Sequence, residues 1–119
     1  MSTISKRGLS GATHGAGILV TATSIGSGVT IHAGSSTTTE GEGDFVTLYC
    51  CNNDTADILL TLGWGGTTDP DNVIKQTIPF QKGLTLVVVD LLIRNSLVVK
   101  AAAGTGSKLV IYGEVKRIA

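Results

Sequence analysis

The sequence predicts an all-β fold: a single jelly-roll-like antiparallel β-sandwich of about eight strands behind an extended N-terminal arm. Three observations carry this. Of 119 residues, 16 are Gly and only two are Pro, and 42% are apolar but 4% aromatic, so aliphatic side chains in pleated structure must fill the core. About eight short apolar or alternating segments follow one another, separated by Gly, Asn, Asp and Ser. No segment sustains a capped helical period. The length suits one domain, and at this size roughly two-thirds of the unfolded surface is buried, enough for a core without staples.

Residues 1–16, MSTISKRGLSGATHGA, are small and polar without period, and are expected to be an arm held against the body or by a neighbouring chain. The sandwich is expected over residues 17–119. Strands are predicted at Ile18–Ser24, Val29–His32, Phe45–Cys51, Ile58–Trp64, Val73–Phe80, Leu84–Ile93, Leu97–Ala102 and Lys108–Ile118. The last alternates most clearly, with Val110, Tyr112 and Glu114 opposite Leu109, Ile111 and Val115. The longest flexible connection is Ala33–Asp44. Eight strands with both faces partly apolar suggest two packed sheets, and a jelly roll has that strand number.

The segment Leu84–Ile93 is apolar on both sides. Leu84, Leu86, Val88 and Leu92 alternate with Val87, Val89, Leu91 and Ile93. A lone sandwich presents polar residues to water, so the second side calls for another layer, most economically another subunit. A central strand lying under loops is the alternative.

Nine basic and nine acidic residues balance to zero, without the basic surplus that nucleic-acid binding uses. The apolar run at Leu86–Ile93, interrupted by Asp90, is too short to span a bilayer. The N-terminus lacks the charged-then-apolar layout of a signal peptide, so use without export is expected.

The sequence supports no enzyme and no cofactor. Gly104-Thr105-Gly106-Ser107-Lys108 resembles a phosphate loop, but its lysine follows the serine and a strand stands where a helix should begin. It is expected to be a hairpin loop between the last two strands, its glycines supplying positive φ. Cys50 and Cys51 are adjacent, point to opposite faces of a strand, and are expected as buried thiols rather than a bridge or metal site. His14 and His32 each stand alone, so no metal centre is expected. The carboxylates Asp54, Asp57, Asp69 and Asp71 lack the ordered ligand pattern of a calcium loop, and Trp64 is expected to cap a core or sit in a subunit contact rather than stack on a sugar. Glu114 and Lys116 are expected to form a surface ion pair.

From DTADILLTLGWGG through IPFQKGLTLVVVDLLIRNSLVVKAAAGTGSKLVIYGEV, roughly Asp54–Ile118, the chain resembles the small head-associated structural proteins of tailed bacteriophages. The residues that carry the likeness are Asp54–Ala56, Ile78–Leu84, Asn95–Ala101 and Ile111–Val115. The resemblance implies a compact β-sandwich made in the host cytoplasm that decorates the outside of the capsid, often as a trimer on the major capsid protein. Related proteins serve at necks, tails or fibres, and a carbohydrate-binding sandwich is a further alternative. The contacts expected to serve such assembly are Lys6, Arg7 and Leu9 in the arm and Val87, Val89 and Leu91 on the apolar strand.

Overall fold

A computed structural model describes residues 3–119. Nine strands form: β1 (Ile4–Gly8), β2 (Ile18–Val20), β3 (Val29–Ala33), β4 (Gly43–Asn52), β5 (Ile58–Trp64), β6 (Val73–Ile78), β7 (Thr85–Ile93), β8 (Val98–Ala103) and β9 (Leu109–Ile118). The single helical element among the described residues is a 3-10 turn at Ile25–Ser27.

The strands divide into two antiparallel sheets. One runs β1-β9-β4-β7, with β2 also pairing β9, and the other runs β3-β8-β5-β6. Antiparallel partners nest as β2 with β9, β3 with β8, β4 with β7 and β5 with β6. That is one long hairpin, β2 to β5 out and β6 to β9 back, rolled over so that successive strands alternate between sheets. The expected jelly roll is therefore the fold. Between the sheets lie Val46, Leu48 and Cys50 of β4, Leu109, Ile111 and Val115 of β9, Leu60 and Leu62 of β5, Val99 and Ala101 of β8, Ile31 and Ile78, all essentially closed to water. Aliphatic side chains fill this core, as the scarcity of aromatics requires.

Strand β1 is the element absent from the sequence expectation. Residues expected as an arm run extended, but over Ile4–Gly8 they pair with β9 from Ile4↔Ile118 to Gly8↔Glu114, so this part belongs to the sheet. The pairing continues through Thr3 and Ala119, each donating its N–H to the other's carbonyl. Its side chains stay largely in water, so main-chain bonding to an open edge holds it and no apolar period marked it.

The GTGSK segment is a second correction. β8 and β9 belong to different sheets, so Gly104–Lys108 is a crossover and not a hairpin. Gly104 and Gly106 do not carry positive φ, whereas Ser107 does, at 63°. Gly106 is needed for close approach: a Cβ there would stand 2.9 Å from the carbonyl oxygen of Thr21. Ser107 N–H donates to the Val20 carbonyl at 2.8 Å, tying the crossover to β2.

Candidate functional site

The two sheets differ in what they show to water. On the outside of β3-β8-β5-β6, Thr30, Lys100, Thr61, Lys75 and Thr77 dominate, the pattern of a sheet facing solvent. The outside of β1-β9-β4-β7 is different, and the register gives it row by row. Ile4 lies beside Ile118. Next come Lys6, Lys116, Phe45 and Leu92, then Gly8, Glu114 and Thr47, with Asp90 N–H donating to Thr47 Oγ1. Tyr112, Tyr49 and Leu86 form the following row, and Leu19, Val110 and Cys51 the last. Ile4, Leu19, Tyr49, Leu86, Val89, Leu92 and Tyr112 are all exposed. They flank a charged middle made by Lys6, Lys116, Glu114 and Asp90, and so many large apolar side chains on one outer face mark it as a surface for a partner. A depression of about 290 Å³ sinks into this face between Phe45, Tyr49, Leu86 and Val89, rimmed by Lys6, Lys116, Asp90 and Glu114.

The six expected contact residues are not one surface. Lys6 lies on this outer face. Arg7, opposite the inward-facing Val115, leaves from the other side of β1, exposed, with its Nε donating to Ser5 Oγ. Leu9 is only 3% exposed and belongs to the core, so it is not available to a partner. Val87, Val89 and Leu91 were expected to share a side, but the register of β7 against β4 shifts twice, between Val46 and Leu48 and between Leu48 and Tyr49. Each shift inserts one extra residue in β7, and Asp90 takes a φ of 47° at the first. Val89 therefore faces out at 57% exposed, Val87 packs against the core, and Leu91, opposite inward-facing Val46, sits at the open edge. Phe45, Tyr49, Tyr112 and Leu86 complete the face. The signal for the first two was in FVTLYC, where Phe45 and Tyr49 alternate with Val46, Leu48 and Cys50, both sides again unsuited to water.

His32 is not alone. It is 2% exposed, and its Nε2 lies 2.7 Å from Oδ2 of Asp44, which is itself closed to solvent. Arg117 grips the same carboxylate with Nε on Oδ1 at 2.7 Å and Nη2 on Oδ2 at 2.9 Å, and Ser35 N–H donates to Oδ2. Ser10 N–H donates to His32 Nδ1 at 3.0 Å, and Ser10 Oγ accepts from Ala33 N–H. An N–H can only donate, so Nδ1 is the acceptor and Nε2 carries the hydrogen given to Asp44. Both ring nitrogens are committed, which leaves His32 no lone pair for a substrate. Burial pushes the Asp44 carboxyl up, but the hydrogen bonds it accepts from Arg117 and His32 and the charge of the Arg117 guanidinium bring it below the ordinary carboxylate value. The hydrogen bond from Asp44 raises Arg117 in turn. The cluster binds β3, β4, β9 and the segment after β1 together; its chemistry is structural.

The remaining candidates are also committed. Cys50 is buried and its thiol is pushed up to about 12, by burial and then by neighbouring Cys51, so it is inert as a nucleophile. Cys51 is half-buried rather than buried, on the opposite side of β4, and both cysteines are free. Trp64 packs on the core and its Nε1–H donates to the Leu92 carbonyl at 2.9 Å, tying the end of β5 to β7 of the other sheet. Asp57 accepts from Phe80 N–H, Asp54 from Thr55 N–H, and Asp69 pairs with Lys75. Lys116 Nζ stands 3.9 Å from Asp90 and not beside Glu114, because the bulge brings Asp90 over β4. The loop after Ala33 is pinned by Arg94, which donates to the Thr39 and Glu42 carbonyls and pairs with Glu40.

Comparison of the chain with family models, curated proteins and solved structures finds no match.

Proposed function

We propose that this chain is a structural protein of a tailed-phage virion, a decoration protein that self-associates and docks on the major capsid protein at the outside of the shell. The observation that carries the proposal is the outer face of β1-β9-β4-β7. Around a charged middle it presents tyrosines and aliphatic side chains, where the opposite sheet presents Thr and Lys with Leu59 as the one exposed large apolar side chain among its described residues, the asymmetry of a protein with one covered face. The residues the resemblance rests on supply most of β8 in one sheet and the middle of β9 in the other. His32, Asp44, Asp57 and Cys50 are occupied within the fold, whereas the outer face of this sheet has no partner among the described residues of the chain. The mechanism is linkage. A protein that binds the assembled shell but not its separated subunits stabilises the shell by RT ln(1 + [L]/Kd), about 2.7 kcal/mol per site at a hundred times Kd.

The test is a heat challenge of particles assembled with and without this chain, with cryo-EM of the complete ones. Particles lacking it should release DNA at lower temperature, and its density should lie on the outer shell. Equal heat resistance would remove the cement role, and density at the neck, tail or fibre would reassign the protein within the virion.

A further inference from the structure

The outer face of β1-β9-β4-β7 has an internal order that selects its occupant. At its β7 edge the sheet does not invite strand addition, because β7 carries two bulges and the charged Asp90, devices that twist and blunt an edge against pairing. On that side a partner covers the face and not the edge. Along β9 the outward residues run Tyr112, Glu114, Lys116, Ile118, an acidic row next to a basic row between two apolar ends, with Lys116 Nζ 3.9 Å from Asp90 of its own copy. A two-fold axis lying across the strands, between the Glu114 and Lys116 rows, turns this face onto itself. Lys116 of one copy then meets Glu114 of the other, twice. The row of Tyr112 and Tyr49 meets the row of Ile118 and Gly43, placing aromatic rings over an aliphatic side chain and a bare backbone. The alternative axis, along the strands, sets Lys116 over Phe45 and Glu114 over Thr47, pairing no charges.

Resting on the assembly reading above, we propose that a second copy of this chain covers the outer face of β1-β9-β4-β7, sheet on sheet, across that transverse two-fold axis. Two sheets meeting this way pack about 10 Å apart.

Charge exchange along β9 tests this. Sedimentation of the full-length protein over a concentration series should give a dimer. Glu114→Lys alone sets lysine against Lys116 of the other copy, and Lys116→Glu alone sets glutamate against Glu114. Each should weaken the dimer by at least about 100-fold. The double variant Glu114→Lys with Lys116→Glu, carrying Asp90→Asn so that the new glutamate does not face a carboxylate of its own copy, should recover association to within about tenfold of an Asp90→Asn protein. Recovery also shows that the single variants failed at the contact and not at folding. A native monomer, a native trimer, single variants that dimerise normally, or a double variant that stays apart each overturns the two-fold contact. The heat challenge of particles does not depend on this outcome, so a failed dimer with stabilised particles sinks the contact and leaves the decoration role standing.

Discussion

Asp44 shows how much one residue can organise in a fold built from aliphatic side chains. Its carboxylate accepts from Arg117, His32 and Ser35, and no buried side-chain polar atom among the described residues lacks a partner. Such a cluster is costly to break because each remaining partner keeps its desolvation penalty. Asp44→Asn should destabilise the protein by about 3 kcal/mol in urea unfolding, by stranding the Arg117 guanidinium without its counter-charge. The sign with pH follows from the lowered carboxyl. The folded state holds fewer protons than the unfolded chain, so the contribution is fully present above the ordinary carboxylate value near 3.8 and is lost as pH falls through the folded value. Native protein should therefore lose melting temperature steeply below about pH 4, and Asp44→Asn should flatten that slope. A variant with the native slope would show that other carboxylates carry the acid sensitivity. Neither cluster nor tautomer was legible in the sequence, because His32 and Asp44 sit 12 residues apart and Arg117 a further 73 along. Their meeting depends on how the sheets roll.

At the scale of elements, period-2 alternation located every strand with an apolar side, and its failures have physical causes. β5 matches its expected bounds, and the others shift by a few residues at their ends. In β7 alternation predicts two clean sides, yet two bulges mix them; the one hint was Asp90, a charge inside an apolar run. The β7–β8 turn offers a direct test of local backbone chemistry. Asn95 and Ser96 both occupy the left-handed region, at φ 59° and 57°, and Leu97 N–H closes on the Arg94 carbonyl. With φ positive at both central residues this is a tight turn of the type I′ kind, here crossing between the sheets, and the favoured pair for such a turn is Asn-Gly. Asn tolerates this region and Ser does so poorly. Ser96→Gly should therefore stabilise the protein by about 0.5–1 kcal/mol in urea unfolding, while the Ser96 N–H bond to Ser35 remains. A destabilised variant would mean that the turn tolerates serine without strain and that the loss is glycine's entropy in the unfolded chain.

For the whole molecule, the sequence made the two-sheet sandwich legible because burial alternates along most strands, but the partnering of strands comes from the rolled hairpin, which no local pattern encodes. The same limit hid β1, whose place depends on the open half of β9. A graded truncation separates what β1 adds from what the jelly roll needs. Removing residues 1–8 takes away main-chain pairing and side chains that are mostly in water, so the barrel from β2 to β9 should fold with a loss of about 1–2 kcal/mol. Removing residues 1–10 also takes Leu9 from the core and the Ser10 N–H from His32 Nδ1. The leucine alone is worth about 2–5 kcal/mol, and the imidazole is left with an unmet acceptor in a closed site. Thermal melts of the two truncated proteins should therefore differ sharply, with the shorter deletion a few degrees below native and the longer one lower by roughly 10 °C or more. Two truncations with the same melting temperature would show that Leu9 and Ser10 add nothing beyond β1, and the N-terminal segment would then end functionally at Ser10 and not at Gly8.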